Sequence, residues 1–298
     1  MNAGMKEVQI RRIQGNLETV CRDRLAVEEP LEIVLGCTVE RERVHRSISV
    51  TMRTPGADAE LAVGFLFSEG IVRDRDQIQA VRPCIRQGNS IRVDLRPEVT
   101  VDLARLERHF YTSSSCGVCG KVSIESVRVA PQHRFHNGYL VVSASLIHRL
   151  PGQLRAAQRG FDHTGGLHAS GLFDIAGRLL ALREDVGRHN ALDKLLGGQF
   201  LTGGIPLVDR ILLLSGRASF ELVQKAAMAG IPIVAAVGAP SSLAVELARE
   251  HGMTLLGFVR DDRMNIYSGE ARIQVDASFL PAMAVPLASA EHSVLEPS

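Results

Sequence analysis

Apolar and polar residues alternate differently in the three parts of the chain. The last third is the most regular. Arg210-Ile211-Leu212-Leu213-Leu214 is an unbroken apolar run after one arginine, the pattern of a strand covered on both faces. A helix is expected from about Phe220 to Ala229, closed by Gly230. A second run, Pro232 to Val237, is followed by a helix to about His251 that Gly252 closes. A third run, Met253 to Phe258, completes the series. Strand, helix, strand, helix, strand predicts a parallel sheet with right-handed crossovers. Small residues follow each strand, as in Ser215-Gly216-Arg217-Ala218-Ser219 and Gly238-Ala239-Pro240-Ser241-Ser242.

The first third reads as a small α+β unit. Leu31 to Leu35 and Arg46 to Met52 are strands, the second with period two. Pro55-Gly56 is a turn, and Asp58 is expected to cap a helix running to about Ser68, with Leu61, Ala62, Phe65 and Leu66 on one face and Gly70 as its stop. Gln77 to Ile85 and Ser90 to Leu95 are weaker strands around Gly88-Asn89, and residues 101–110 a short helix. Residues 1 to about 25, polar and mixed in charge, read as an extended arm or an edge strand. In the middle, Val122 to Val129 and Gly138 to Val142 are strand candidates. A helical stretch from Ser143 to about Arg159 is expected to break at Pro151-Gly152. Leu167 to Asp174 and Arg178 to Leu182 form a hairpin over Ala176-Gly177, and Asp185 is expected to cap the next helix. In that helix His189 pairs with Asp193, and Asn190 with Lys194, at a spacing of four. The plain reading of those pairs is a solvated face; their crowding at a strand end is the argument for a site. The expected organisation is an α+β unit at 1–110, a cysteine loop at 111–121, a larger unit at 122–276 and a flexible tail at 277–298.

Composition narrows the function classes. A net charge of +1 over 298 residues gives no global pull toward nucleic acid or an acidic membrane, and 4% aromatics without tryptophan argues against a base-stacking platform. No apolar signal region and no run of ~18 apolar residues are seen, so a soluble cytoplasmic protein is expected. Five cysteines, odd in number and scattered, do not make a disulfide framework.

The candidate chemistry begins at Ser113-Ser114-Ser115-Cys116-Gly117-Val118-Cys119-Gly120-Lys121. Two thiols three apart lie among small residues, beside a lysine that favours thiolate. Cys21, Cys37 and Cys84 are isolated, so a structural zinc site lacks its second pair. Lys121 to Val127 alternates like a strand, where a thioredoxin-type pair would open a helix. A thiolate on a mobile loop that accepts and passes on sulfane sulfur fits better. A second site is expected at the carboxyl ends of the parallel strands, where open α/β sheets bind ligands and helix N-termini attract phosphate. Ser215, Gly216, Arg217 and Ser219 lie there, with Arg260 and Arg263 as further guanidinium forks. His163, His168, Asp185 and His189 are candidates from crowding alone.

Six motifs in order resemble the FdhD family of formate dehydrogenase accessory sulfurtransferases: residues 115–121, His163-Thr164-Gly165-Gly166-Leu167-His168-Ala169, residues 184–194, Ser215 to Glu221, Ala239 to Ala244, and Gly257 to Tyr267. The resemblance spans roughly residues 25 to 270. It implies an α/β fold with a cytidine deaminase-like mixed sheet, flanking helices and a smaller N-terminal α+β domain. It further implies a homodimer that takes sulfur from a cysteine desulfurase as a persulfide. That sulfur would pass to the molybdenum (or tungsten) bis-guanine-dinucleotide cofactor destined for formate dehydrogenase. By motif position Cys116 matches the persulfide-bearing cysteine; Cys119 is expected, from thiol chemistry, to assist by releasing sulfur or by transient disulfide formation. Phe258, Val259, Arg260, Asp261, Asp262 and Arg263 match the cofactor-binding segment, for which GDP is a surrogate ligand. Two rivals are a zinc-dependent deaminase-like hydrolase and a non-catalytic cofactor chaperone. The first lacks its proton-moving motif, because no histidine has glutamate two places later. The second leaves the paired thiols without a use.

Overall fold

The computed structural model describes residues 4–84, 89–101, 135 and 140–275. The boundaries expected at 110, 121 and 276 lie outside these residues, as do the strand expected at 122–129 and all but the first residue of the helix expected at 101–110. The chain opens with β1 (Met5–Gln14) and β2 (Leu17–Ala26). Next come β3 (Glu29–Val39), β4 (Glu42–Arg53), α1 (Asp58–Ser68), β5 (Ile78–Pro83) and β6 (Ser90–Leu95). The second part holds β7 (Val142–Ser143), α2 (Ala144–Ala157), α3 (Arg159–Thr164), β8 (His168–Asp174), β9 (Leu179–Asp185) and α4 (Arg188–Leu201). It continues through β10 (Arg210–Leu214), α5 (Phe220–Met228), β11 (Ile233–Ala236), α6 (Ser242–Glu250), β12 (Thr254–Gly257), β13 (Asn265–Ser268) and β14 (Ile273–Gln274).

The result is a mixed α/β architecture. The larger sheet has the order β13-β12-β11-β10-β8-β9, in which β10, β11 and β12 are parallel and the outer pairings antiparallel. Alternate residues of its central strands serve opposite faces. Ile211, Leu213, Ile233 and Ala235 pack in one apolar cluster with Ile147, Leu150 and Leu154 of α2. Leu212, Leu214, Val234 and Ala236 pack in a second with residues of α4, α5 and α6. That second cluster continues through α1 into the smaller sheet, β4-β3-β6-β5, so the two sheets share one core. No described helix is long and apolar enough to cross a membrane.

Four local expectations are corrected. Residues 5–26 are not a simple extended arm but a hairpin of ten paired positions, turned at Gly15 with φ 60°. Helix α2 continues through Pro151. A proline in a helix interior costs about 3 kcal/mol, whereas burying the stripe Leu146, Ile147, Leu150 and Leu154 returns roughly 6–12 kcal/mol at ~1.5–3 per side chain. Ser143 helps by accepting the Leu146 amide proton at 3.2 Å. Asp58 does not cap α1; the cap position is Ala57 in the left-handed region, and Asp58 instead takes a two-pronged bond from the buried Arg53 at 2.9 and 3.0 Å. Asp185 is not the cap of α4 either, which is Gly187. Its carboxylate is fully buried and has other partners, given below.

Candidate functional site

The site is built where strands end. β8 runs against β10, so the start of β8 lies beside the end of β10, with Leu214 opposite Ser170. β9 runs against β8 and pairs Asp185 with His168. His168, the Asp185–His189 turn, Ser215 to Ser219, Val237 to Ser241 and Phe258 to Arg263 therefore share one edge of the sheet.

Backbone hydrogen bonds stitch these loops together. Gly238 N–H donates to the Gly216 carbonyl at 2.8 Å, Ala218 N–H to Ala239 at 3.1 Å, and Phe258 N–H to Gly238 at 3.1 Å. Such layering needs bare backbone: a Cβ on Gly238 would sit 2.9 Å from the Arg217 nitrogen, and one on Gly216 3.3 Å from His168 Nδ1. The Ser215 hydroxyl accepts the Ala169 amide proton at 2.8 Å. Arg260 closes its own turn through a 2.8 Å bond to the Arg263 carbonyl, and its Nη1 donates to the Val237 carbonyl at 2.7 Å. Phe258 takes φ 54° and is 37% exposed beside this turn.

Charge at the edge is positive on balance. Arg260, Asp261, Asp262 and Arg263 cancel among themselves, and all four are exposed. Arg217 from the β10 loop and Arg188 from the first turn of α4 tip the balance. Both reach His168 electrostatically: burial pushes its imidazole below the ordinary histidine range, and the two guanidiniums add to that against an opposing pull from Asp185. The ring is therefore neutral at pH 7.

Beneath the edge lies a buried polar layer. Asp185 accepts from the Gly187 amide at 2.8 Å, Asn190 Nδ2 at 3.2 Å and the Thr54 amide at 3.1 Å, and pairs with Lys194 Nζ at 2.6 Å. Lys194 also donates to the Thr54 carbonyl at 2.8 Å. His189 Nε2 stands 3.3 Å from Ser219 Oγ and 3.4 Å from Glu221 Oε2. Lys225 stands 3.6 Å from Glu221 and donates at 3.0 Å to both oxygens of Asp193, which also accepts from Ser68 at 2.9 Å. Burial alone would push the Lys225 ammonium down, but the carboxylates of Asp193, Glu221 and Glu69 outweigh it and hold the group above its ordinary range. The helix face carrying His189, Asn190, Asp193 and Lys194 is thus buried rather than solvated. Among the described residues, no three His, Cys, Asp or Glu side chains cluster as metal ligands would.

A sequence profile of the FdhD/NarQ family matches residues 26–274. The chain belongs to the FdhD/NarQ family. It is 47% identical over 278 residues to a protein of Streptomyces avermitilis named sulfur carrier protein FdhD, covering 91% of this chain and 96% of that one. A protein of the same name from Mycolicibacterium paratuberculosis is 49% identical over 263 residues, covering 84% and 92%. A crystal structure from Desulfotalea psychrophila, described as that of a formate dehydrogenase accessory protein, aligns with a TM-score of 0.69 at 26% identity, covering 91% of this chain and 99% of that one.

Within this FdhD/NarQ chain, the structure brings the two expected cofactor segments together: Ser215, Gly216, Arg217 and Ser219 lie at the same edge as Phe258 to Arg263. Val259 differs from its neighbours, since its side chain is fully buried in the cluster against α2 and only its backbone faces the loops. His168, Asp185 and His189 gather at or just beneath the edge. His163 is exposed on α3. Cys116 and Cys119 lie outside the described residues. Sequence reading passed over Arg188, which sits inside a quoted motif but whose role needs the strand order to appear. It also passed over Thr54 and Ser68, which reach the polar layer from the first third of the chain across more than 100 positions.

Proposed function

We propose that the chain is a sulfur carrier for formate dehydrogenase maturation, moving sulfane sulfur from a cysteine desulfurase to a molybdenum bis-guanine-dinucleotide cofactor. The observation that carries this reading is the convergence of Arg217, Arg260 and Arg263 on one strand-end edge, in a chain whose relatives are named sulfur carrier proteins. A guanine dinucleotide carries diphosphates, and guanidinium forks with free helix N-termini suit phosphate oxygens. The strand order, with a parallel core flanked by an antiparallel hairpin, supports the cytidine deaminase-like kinship that the motifs imply.

The chemistry is thiol exchange. The Cys116 thiolate attacks the outer sulfur of the donor persulfide. The donor S–S bond breaks, the donor thiolate leaves, and the proton stays on the transferred sulfur, giving a Cys116 persulfide. For release, the Cys119 thiolate attacks the inner sulfur of that persulfide. A Cys116–Cys119 disulfide forms and hydrosulfide is expelled toward the metal, with both electrons supplied by the two thiols. A thiol reductant then restores the pair.

The experiment is complementation of a strain lacking its own sulfur carrier, read as formate dehydrogenase activity. Cys116→Ala is expected to abolish activation while leaving the protein folded. Full activation by Cys116→Ala would favour the non-catalytic chaperone instead.

A further inference from the structure

The smaller sheet turns one face to α1, where Ile33, Leu35, Ile91 and Val93 pack with Leu61 and Leu66. Its other face carries charge. Gly36 of β3 stands in register with His45 of β4 and Asp94 of β6, and Arg82 of β5 with Arg92 of β6. The Asp94 carboxylate lies on the bare backbone of Gly36: a Cβ there would overlap Asp94 Oδ1 and come within 3.2 Å of His45 Cδ2. Asp94 is 5% exposed and draws four basic side chains onto itself. Arg82 Nε and Arg92 Nε stand 3.2 Å away, Arg43 Nη2 3.4 Å and His45 Nε2 3.8 Å.

The fold does not use this much charge. A buried carboxylate needs one cation to offset it, and three guanidiniums leave a surplus of two positive charges. Exposed ion pairs add little to stability, and Arg82 is 56% exposed. Arg82 and Arg92 meet Asp94 through Nε, and their Nη groups have no partner among the described residues. Arg43 is pinned by a 2.7 Å bond to the Leu95 carbonyl. Asp94 therefore holds a set of guanidinium heads in place, so less freedom is lost when they meet an anion.

Geometry selects the kind of anion. The basic groups come from β4, β6 and β5, spread over about 14 Å at the spacing of adjacent strands. They stand on a sheet face with only Val34, Thr38 and Ala80 between them, so aromatic platforms for nucleic-acid bases are missing there. An extended chain places side chains of one side about 6.6 Å apart, so three carboxylates over five residues span the row. The cluster is also separate from the strand-end edge. Thr54 is where this unit meets the polar layer beneath that edge, and nine positions of extended chain separate it from His45, roughly 25–30 Å.

We propose that this face docks an extended acidic segment of a protein partner, with Arg43, Arg82 and Arg92 pairing its carboxylates. A partner held here leaves the strand-end edge open, and the inference stands whether or not that edge binds phosphate.

The test is fluorescence anisotropy of the full chain with labelled hexaglutamate at low salt. Arg43→Gln with Arg82→Gln is expected to weaken binding about tenfold, while Arg92 stays to offset Asp94. Arg82→Gln alone, at an exposed position, is expected to weaken it about threefold and answers for the double variant if that one unfolds. Arg11→Gln with Arg22→Gln removes the same charge from the exposed β1–β2 hairpin and is expected to change nothing. No binding by the wild type, or wild-type affinity in the variants of the face, overturns the proposal. An equal loss in the hairpin control shows diffuse attraction and overturns it too. Ten-residue oligothymidylate that binds this face more tightly than the peptide assigns it to nucleic acid instead. Pyrophosphate that displaces the peptide at equal concentration reduces it to a small-anion site; either result contradicts the proposal.

Discussion

Gly64 of α1 and Gly197 of α4 meet backbone to backbone: a Cβ built on Gly64 would lie 2.9 Å from the Gly197 nitrogen, and one on Gly197 2.7 Å from the Gly64 nitrogen. The same added atoms would overlap the carbonyls of Asp193 and Glu60. Helix α1 thereby clamps onto the helix whose first turn delivers Arg188 and His189 to the strand-end edge. Gly→Ala in a helix interior ordinarily gains ~1 kcal/mol of propensity. Here overpacking of fixed backbone costs roughly 1–3 kcal/mol or more, so the steric effect wins. Gly64→Ala and Gly197→Ala are each expected to lower stability by about 1–2 kcal/mol, read as a lower denaturant midpoint. A midpoint that rises in either variant would show that the helices can part freely.

The Lys194–Asp185 pair is the buried counterpart of that clamp. Its side chains are 2% and 0% exposed, and the lysine also satisfies Thr54 from the N-terminal unit. Lys194→Met leaves a buried carboxylate without its cation, which costs about 3–5 kcal/mol. The exposed pair Arg155–Asp162, at 51% and 48%, is the control, where loss of one partner is worth ~0–1 kcal/mol. Equal effects from Lys194→Met and Asp162→Asn in chemical denaturation would contradict the burial argument.

His168 makes stability depend on acid. The unfolded chain takes up a proton at this imidazole near pH 6.5, and the folded protein only at lower pH. Between those values the unfolded state binds more protons, so this contribution is complete above pH 6.5 and is lost as pH falls through the folded value. His168→Gln is expected to flatten the fall in melting temperature below pH 6.5 relative to wild type. Parallel pH profiles for the two proteins would show that His168 is not the titrating group.

Arg260 and Arg263 are the forks proposed to meet phosphate. Arg260 is set in place by its bonds to the Val237 and Val259 carbonyls, at 2.7 and 3.0 Å, so little freedom remains to be lost on binding. With charged hydrogen bonds worth about 1.5–3 kcal/mol, Arg260→Ala with Arg263→Ala is expected to weaken GDP binding at least tenfold, roughly. Wild-type binding should itself weaken as salt is added. Calorimetry that returns the wild-type affinity for the double variant would remove both residues from the site.

Legibility in the sequence followed the source of each element's stability. β10, β11 and β12 were readable to within a residue or two, because unbroken apolar runs bounded by glycine have few alternatives. The β8–β9 hairpin was readable from its turn, where Asp174 accepts from Ala176 and Arg178 as a local motif does. What stayed hidden depends on partners distant in the chain. Nothing local says that Asp185 serves Lys194 and Thr54 rather than its own helix, or that Asp58 serves Arg53. Pro151 reads as a break until the buried stripe on either side of it is counted. Gly64 reads as a weak helix residue until Gly197 is opposite. That Ser215 to Ser219 and Phe258 to Arg263 lie together at the strand ends was legible as a rule of sheet topology.

The central claim is that Cys116 carries sulfur, and persulfide mapping tests it most directly. The protein is incubated with a cysteine desulfurase and isotopically labelled cysteine, digested under conditions that preserve persulfides, and read by mass spectrometry. The account predicts label on Cys116. Label confined to Cys21, Cys37 or Cys84 would contradict it.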